Sequence, residues 1–420
     1  MNEEPRKRRS LTNVGGAIET AWRARDDKRW AMKLAEAVDV APETESDAPD
    51  RAHVHGFHAY PARAHPVTAR RLVESFTKEG ATVLDPFCGS GTILVEAMLA
   101  GRDAIGVDLN PLAVMLARAK TFPHSEAQTK ALVEAANGVA EFADKRRKAK
   151  AGAMKRLPQA DVSLFAPHVL LELDSIRGGI GEAPPALRPE LGLVLSSILV
   201  KLSQKKGDTS DEAIDKRIAA GYPTRLFVRR TEELARRFDE FTALLPEPQP
   251  KARIFADDAT VLSKVKDRSI DAVITSPPYV ATYDYLAHHD VRLRWLGLDQ
   301  KALAKGELGA RRHYEKLTPL EAKNAWRREL VKLLRALERT TKAGAPVILL
   351  IADSATARGP KGEPPEPIRA DEAVAEVAEG EGTFEPVARA SQARPHFHGP
   401  TASAFRGSPR KEHALLLRRK

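Results

Sequence analysis

The chain has 420 residues, of which 67 are lysine or arginine and 57 are aspartate or glutamate, so its formal net charge is +10. Its single cysteine excludes disulfide bonds within the chain and multi-cysteine zinc sites, and no apolar run approaches the roughly 20 residues of a membrane span. The charged start (MNEEPRKRRS) lacks the apolar stretch of a signal peptide, which favours a cytoplasmic protein. The basic balance favours a polyanionic partner such as nucleic acid, although a basic surface kept for solubility gives the same composition.

The first half of the chain opens with a polar segment and continues with alternating strands and helices. Residues 1–50 are predicted to be a partly disordered extension with one helix around residues 17–38. Residues 60–66 (YPARAHP) form a stiff approach to a helix that Pro66 begins and that ends near residue 78. The pattern then predicts, in order, a strand at 82–84, a helix at 92–100, a strand at 104–107 and a helix at 111–120.

The alternation stops at about residue 121. Residues 121–250 have a mostly helical pattern that ends in a proline-rich linker, which predicts a domain-sized insertion and a possible substrate-recognition element. Beyond it the pattern predicts strands at 253–256, 271–274, 347–351, 384–389 and 414–418, helices at 285–296 and 319–341, and a loop at 355–370. We therefore expect a doubly wound, mostly parallel α/β sheet, built from residues 51–120 and 251–420, with ligands at the carboxyl ends of its strands.

A glycine-rich turn, LDPFCGSGT at residues 84–92, follows the first of these buried strands. Gly89 and Gly91 allow a tight turn and a close approach to a ligand. A dinucleotide fingerprint would have a third glycine at the position of Leu94, and Asp85 at the mouth of the turn would repel a pyrophosphate. A carboxylate there suits a ligand that carries a cation, such as the amino-acid end of S-adenosylmethionine.

Two further acidic positions follow at the ends of the next strands. Asp108 ends the second strand, where its carboxylate can accept hydrogen bonds from both hydroxyls of a ribose. Asp257 or Asp258 ends the third strand, and either could accept from the adenine amine. A glycine turn that serves packing alone is the alternative interpretation, and Cys88 is expected to be a packed residue of the turn and not a nucleophile.

A second motif, TSPPY at residues 275–279, follows the buried strand at 271–274. Two prolines stiffen the backbone and remove its N–H donors, so carbonyl groups remain as acceptors. The Ser276 hydroxyl and the Pro277 carbonyl could accept from the two hydrogens of an aromatic amine, and Tyr279 offers a face on which a base can stack. This chemistry requires no metal. The alternative is a proline turn that ends a strand, with Tyr279 in the core.

The pair LDPFCGSGT and TSPPY resembles the amino-methyltransferases that modify exocyclic amines of bases in DNA and RNA, a family with a Rossmann-like class I fold that uses S-adenosylmethionine. The segment HAYPAR at residues 58–63, with the helix that Pro66 begins, is similar to the family segment that helps to bind the methionine part of the cofactor. The resemblance implies cofactor contacts by Tyr60, Pro61, Asp85, Pro86, Phe87, Gly89, Ser90, Gly91, Thr92, Asp108, Asn110, Asp257 and Asp258, and catalysis by Ser276, Pro277, Pro278 and Tyr279.

The subgroup remains open at this point. A serine at the first catalytic position resembles cytosine-N4 DNA methyltransferases of restriction-modification type, whereas aspartate is commoner in adenine-N6 enzymes. Residues 276–297 resemble bacterial DNA methylases, but residues 85–97 (DPFCGSGTILVEA) are close to guanosine-N2 methyltransferases of transfer RNA. DNA is the favoured partner, RNA is the alternative, and a basic protein that binds cofactor and nucleic acid without turnover is the third. The sequence indicates no oligomeric state.

Several histidines and arginines have no place in these motifs. His55, His58 and His65 precede the first helix of the sheet, and His396 and His398 lie near the end of the chain. They could form a metal site, but histidines in loops at a polyanion-binding surface are the favoured interpretation. Tyr283 and Tyr285 could line a base pocket or pack at the edge of the sheet. Arg311 and Arg312 could contact phosphates or could lie on a solvated helix face.

Overall fold

The computed structural model describes residues 17–40, 47–207, 212–394 and 403–420. Its centre is an eight-stranded sheet in the order β1-β9-β10-β6-β5-β2-β3-β4. These strands are β1 (Ile18–Trp22), β2 (Thr82–Asp85), β3 (Asp103–Asp108), β4 (Ala252–Ala256), β5 (Ala272–Thr275), β6 (Pro346–Ala352), β9 (Phe384–Ala393) and β10 (Lys411–Arg419). A separate short pair, β7 (Ser354–Ala355) and β8 (Pro367–Ile368), runs antiparallel within the segment that was predicted to be a loop.

The sheet is parallel at its centre and antiparallel at one side. Strands β6, β5, β2, β3 and β4 are parallel neighbours, whereas β10 is antiparallel to both β6 and β9. The chain winds outward from β2 through β3 to β4 and then returns to β5 on the other side of β2. In sheets of this kind, ligands bind where the winding direction reverses, at the carboxyl ends of the strands. The point of reversal here lies between β2 and β5. The predicted doubly wound sheet is therefore confirmed.

Helices cover both faces of the sheet because alternate residues of each central strand point to opposite sides. Val83 belongs to one buried apolar cluster and its neighbour Leu84 to the other. The helices are α1 (Lys28–Val38), α2 (Asp47–Arg51), α3 (Pro66–Phe76), α4 (Thr92–Leu99), α5 (Pro111–Thr121), α6 (Glu126–Lys148), α7 (Gln159–Leu164), α8 (Pro167–Glu182), α9 (Arg188–Leu202), α10 (Tyr222–Ala243), α11 (Tyr285–Leu296), α12 (Lys301–Gly306), α13 (Arg311–Tyr314), α14 (Pro319–Thr340) and α15 (Ala370–Glu381).

The start of the described chain differs from the sequence prediction. The helix expected around residues 17–38 is a strand, β1, followed by the shorter helix α1. β1 pairs antiparallel with β9, from Ile18 opposite Gln392 to Trp22 opposite Ala388. A strand at the edge of a sheet is stabilised by its partner, here more than 360 residues away, and local periodicity carries no information about that pairing.

The segment predicted to be an insertion contains helices α6 to α10. Of these helices, α9 packs against α5 and against α11, the helix that follows the second motif. The guanidinium of Arg292 on α11 is buried and donates to the carbonyl of Ser196 on α9, while Arg294 forms an ion pair of 2.5 Å with Asp161. These contacts join the helical segment to the side of the sheet that carries the TSPPY turn. The domain boundaries themselves stay a prediction.

Candidate active site

The two sequence motifs meet at the point where the winding of the sheet reverses. Asp85 is the last residue of β2 and Thr275 is the last residue of the neighbouring strand β5. The Thr275 hydroxyl donates to Asp85 Oδ1 over 2.6 Å, and the backbone N–H of Phe87 donates to the same oxygen over 3.1 Å. Burial raises the pKa of the Asp85 carboxyl to about 7, although the two donated hydrogen bonds oppose this shift.

At two positions of the glycine turn a side chain would be both strained and tightly packed. Gly89 has φ of +49° and lies against the Tyr60 ring. A Cβ added to Gly89 would be 3.1 Å from a carbon of that ring. Gly91 has φ of +86° and precedes the first turn of α4, and an added Cβ there would lie 3.1 Å from the Cα of Ala117 on α5. The first glycine therefore brings the turn against Tyr60, and the second allows α4 and α5 to pack closely.

Asp108 organises the turn from the end of β3. Its Oδ2 accepts the N–H of Gly89 over 2.9 Å, and its Oδ1 accepts the N–H of Asn110 over 2.8 Å. Burial raises the pKa of Asp108 to about 6, an effect that these backbone donors oppose. Each carboxylate oxygen can accept a second hydrogen bond, so the group can still receive ligand hydroxyls.

Asn110 connects this corner to the approach segment. Its side-chain oxygen accepts the N–H of Leu112 over 3.0 Å and so caps α5, as Asn110-Pro111 predicted. Its amide nitrogen lies 3.4 Å from the Tyr60 hydroxyl oxygen and 2.8 Å from Nδ1 of His289 on α11. The Tyr60 ring in turn stacks near Tyr285, with 6.1 Å between the ring centroids. Elements from three separate parts of the chain therefore converge on one corner.

A cavity with about 810 Å³ of empty space, part of it open to solvent, lies between the two motifs. Of the predicted site residues it is lined by Tyr60, Asp85, Pro86, Phe87, Gly89, Ser90, Thr92, Asp108, Asn110, Asp258, Ser276 and Pro278. Pro61, Gly91, Asp257, Pro277 and Tyr279 are not among its lining residues. Acidic residues from three successive strand ends, Asp85, Asp108 and Asp258, thus line one space.

The two neighbouring acids that follow β4 have different surroundings. Asp257 accepts hydrogen bonds from Ser263, from the N–H of Lys264 and from the N–H of Asp258, so it holds its own loop together. Asp258 lines the cavity, and its Oδ1 accepts from the N–H and the hydroxyl of Thr260. Of the two alternatives that the sequence left open, Asp258 has the position suited to a ligand.

Ser276 and Pro278 of the TSPPY turn line the same cavity. The Ser276 hydroxyl donates to the carbonyl of Leu350 on β6 over 3.2 Å, which leaves the lone pairs of its oxygen available. Tyr279 is only 7% exposed, and burial raises the pKa of its phenol well above the ordinary value. The Arg410 guanidinium, on the loop before β10, lies 5.8 Å from the centroid of the Tyr279 ring, and the Tyr283 ring lies 6.2 Å from it.

A buried ion-pair network beside the cavity was missed by the sequence analysis. Glu307 accepts the N–H of Tyr285 over 2.7 Å and the Arg312 guanidinium over 2.6 Å, and Arg312 also donates to Asp284 over 2.8 Å. Glu307 lines the cavity, and burial raises its pKa. Arg312 therefore holds Asp284 and Glu307 together. No spacing in the sequence marks Glu307, because the network connects residues at or beside the ends of three separate helices, α11, α12 and α13.

The prediction of surface histidines was wrong for the three that the structure describes. His55, His58 and His65 are all buried. Their imidazoles serve internal contacts, because His55 lies 2.7 Å from Glu96 Oε1, His58 lies 3.0 Å from the Ser196 hydroxyl and His65 Nδ1 accepts the N–H of Val67 at the start of α3. His396 and His398 lie outside the described residues. None of the helices in the described part of the chain combines the length and apolar composition that a bilayer crossing needs.

The parallel order of the central strands, the inserted antiparallel β10 and the acidic glycine turn define a Rossmann-like α/β protein of the class I methyltransferase type. Residues 3–118 match the family model N6_N4_Mtase, described as DNA methylase. This match covers the glycine turn and Asp108. The predicted resemblance to the DNA amino-methyltransferases is therefore confirmed.

The relatives include type II methyltransferases. The chain is 26% identical over 284 residues to the type II methyltransferase M.BsoBI of Geobacillus stearothermophilus, covering 60% of this chain and 54% of that protein. It is 37% identical over 99 residues to the type II methyltransferase M.MjaII of Methanocaldococcus jannaschii, covering 22% of this chain and 18% of that protein. The chain thus spans about half the length of the first relative and less than a fifth of the second.

Two other similarities are more limited. A stretch of 52 residues is 46% identical to the tRNA (guanine(10)-N2)-dimethyltransferase of Methanothermobacter thermautotrophicus, covering 12% of this chain and 16% of that enzyme. Among solved structures, a SAM-dependent methyltransferase from Methanosarcina mazei aligns with 11% identity and a TM-score of 0.31, over 86% of this chain and 98% of that one.

Proposed function

We propose that this protein is an enzyme that transfers a methyl group from S-adenosylmethionine to the exocyclic amino group of a base in DNA, with cytosine N4 favoured over adenine N6. The observation that carries the proposal is the single cavity lined by both Asp85 and Ser276, residues that come from motifs 190 positions apart and are joined through Thr275. The match to DNA methylases and the type II methyltransferase relatives support DNA as the substrate class.

The cavity fits the parts of the proposed cofactor. Three carboxylates, Asp85, Asp108 and Asp258, face it with the acceptor chemistry that an ammonium group, two ribose hydroxyls and an adenine amine need. The absent side chain of Gly89 leaves the turn close to the Tyr60 ring, where a ligand can contact the backbone. When bound, S-adenosylmethionine supplies a methyl group activated on a sulfonium centre.

Residues of the TSPPY turn would act on the amine that receives the methyl group. An aromatic amine is a poor nucleophile because its lone pair is delocalised into the ring. The Ser276 oxygen, whose hydrogen is directed to Leu350, and the Pro277 carbonyl would accept the two amine hydrogens and favour a tetrahedral nitrogen. The ring of Tyr279 would stack on the base, a contact worth about 1–3 kcal/mol. Catalysis would thus consist chiefly of positioning.

A base inside a duplex cannot reach such a cavity, so we propose that the target base is flipped out of the helix. The helical segment α6 to α10 packs on α11 beside the catalytic turn, a position suited to holding the duplex around the flipped base. The net charge of +10 favours contact with phosphates. Cytosine is favoured because of the serine at position 276, as the resemblance to cytosine-N4 enzymes implies.

The test is transfer of tritium from labelled S-adenosylmethionine to unmethylated genomic DNA, followed by mass spectrometry of the released nucleosides. We expect N4-methylcytosine from the parent protein and a loss of at least about a hundredfold in Ser276→Ala and Tyr279→Ala. Ser163→Ala is the matched control, because Ser163 is exposed on α7 and its hydroxyl donates to the carbonyl of Ala160 in the same helix. Equal incorporation by the parent and both site variants would remove the assignment.

The same assay decides between the alternatives. N6-methyladenine in place of N4-methylcytosine would change the target base but keep the mechanism. Methyl transfer to total transfer RNA and not to DNA would favour the RNA alternative, to which the short tRNA-methyltransferase similarity points. Cofactor binding without transfer to either nucleic acid would indicate a binding protein.

A further inference from the structure

Thr275 is the residue of the TSPPY segment to which the proposed chemistry assigns no role. It ends β5, is completely buried and directs its hydroxyl to Asp85 Oδ1 over 2.6 Å. Strands β2 and β5 are parallel neighbours, with Leu84 opposite Val273, so their last residues lie side by side. The hydrogen bond therefore connects the end of the cofactor strand directly to the start of the catalytic turn.

The geometry at Asp85 makes its two oxygens unequal. Both described donors, the Thr275 hydroxyl and the N–H of Phe87, use Oδ1. Because Asp85 also lines the cavity, Oδ2 is the oxygen available to a ligand. A hydroxyl on Oδ1 fixes the rotation of the carboxylate and so fixes where Oδ2 points.

The charge state of Asp85 depends on few groups. Burial opposes ionisation, and the negative charge of nearby Asp108 opposes it further, whereas the hydrogen bonds from Thr275 and from the N–H of Phe87 favour it. The other titratable or charged groups around the cavity are Tyr60, Arg63, Cys88, Asp258, Tyr285 and Glu307. Thr275 is the one side chain among the described residues that donates a hydrogen bond to the Asp85 carboxylate.

We propose that Thr275 is a positioning residue that fixes the rotation of the Asp85 carboxylate and turns its Oδ2 toward the ammonium group of the bound cofactor. This inference rests on the proposed use of S-adenosylmethionine. Since Thr275 directly precedes Ser276, the same hydrogen bond sets the separation between the cofactor acid and the acceptor that receives the amine. The hydrogen bond thereby holds the ends of β2 and β5 together at the point where the methyl donor and the amine must align.

The experiment compares Thr275→Val, which keeps the shape and removes the hydroxyl, with Thr275→Ser, which keeps the hydroxyl. Isothermal titration calorimetry measures binding of S-adenosylhomocysteine, which carries the ammonium group, and of methylthioadenosine, which lacks it. We expect Thr275→Val to bind S-adenosylhomocysteine about tenfold more weakly near pH 7 and to bind methylthioadenosine like the parent. Thr275→Ser should resemble the parent with both ligands.

The pH dependence of S-adenosylhomocysteine affinity gives a second measurement. A purely structural role of Thr275 would not shift this pH dependence. The ammonium group favours the ionised carboxylate, so affinity for S-adenosylhomocysteine should rise with pH through the pKa of Asp85, which is about 7 in the free protein. In Thr275→Val this rise should occur at higher pH, because a hydrogen bond to the ionised form has been removed. Methylthioadenosine should show no such displacement.

Three results would overturn the inference: unchanged binding of S-adenosylhomocysteine by Thr275→Val, equal weakening of both ligands, or an unmoved pH profile. If Thr275→Val does not fold, Thr275→Ala removes the same hydroxyl, and the same results for that variant support or overturn the role. Calorimetry requires no nucleic acid. The inference can therefore fail while DNA methylation is observed, and DNA methylation can fail while this binding pattern is observed.

Discussion

The two sides of the cavity are held in place in different ways. On the cofactor side, Asp108 accepts the N–H groups of Gly89 and Asn110, and Asp85 accepts that of Phe87, so a segment of about 25 residues organises itself. On the catalytic side, two prolines remove backbone donors, and support comes from Leu350, Arg410 and the Glu307 network. The backbone contacts of the first side are thus local, with the Thr275 hydroxyl as a distant support of Asp85, whereas the second side depends on elements spread over more than 130 residues.

The largest loss of cofactor affinity should come from breaking the contacts of Asp108 on the cofactor side. In Asp108→Asn the acceptor charge is lost and one side-chain oxygen must serve two buried N–H groups, so we expect cofactor affinity to fall about tenfold to a hundredfold. Calorimetry with S-adenosylhomocysteine measures this change. Asp103→Asn, at the opposite end of the same strand, is the matched control because its carboxylate holds the N–H of Lys251 away from the cavity. Equal affinities of the two variants would contradict the role of Asp108.

A smaller effect should come from removing distant support on the catalytic side. Arg410→Met keeps the bulk of the side chain but removes the cation beside the Tyr279 ring, a contact worth about 1 kcal/mol. We expect the single-turnover rate of methyl transfer to fall about fivefold, with cofactor affinity unchanged. Arg418→Met is the matched control, because Arg418 on β10 lies over the Trp30 ring, 5.9 Å from its centroid. A parallel loss of cofactor affinity would show that the two sides are not separately supported.

The smallest effect should distinguish the two neighbouring acids after β4. Asp258→Asn should weaken cofactor binding about threefold to fivefold, because one neutral acceptor replaces a charged one at the cavity wall. Asp257→Asn should leave affinity unchanged and lower the free energy of unfolding, since Asp257 organises its own loop through Ser263 and Lys264. Calorimetry and urea unfolding of both variants make the comparison. The reverse order of affinities would assign the contact to Asp257.

The sequence predicted the parts of the molecule whose causes are local. Pro66 and Asn110-Pro111 begin helices where expected, because proline and an asparagine cap act within one turn. Gly89, Asp85 and Asp108 meet as predicted, since parallel strands end at one edge of the sheet. The convergence of Asp85 and Ser276 on one cavity also agrees with the prediction from strand order.

Contacts between distant segments could not be predicted in this way. Ile18 and Thr20 have the β-branched side chains of a strand, but their partner strand lies at the other end of the chain. Glu307 and Arg410 stand in segments without a motif, and their importance follows only from what folding brings beside them. The buried histidines were assigned to a surface because sequence alone does not show which loops the helical segment covers.

The short strand β1 has a consequence for handling this protein. It covers one edge of β9, a strand of ten residues whose other edge is occupied by β10. Without β1, the edge of β9 would expose a row of backbone N–H and C=O groups with which another protein chain could pair. The five-residue strand β1 exposes fewer such groups at its own edge. Shortened versions that begin after Trp22 would lose β1 and expose the edge of β9, which would favour self-association. Tags and truncations should therefore be placed upstream of Ile18.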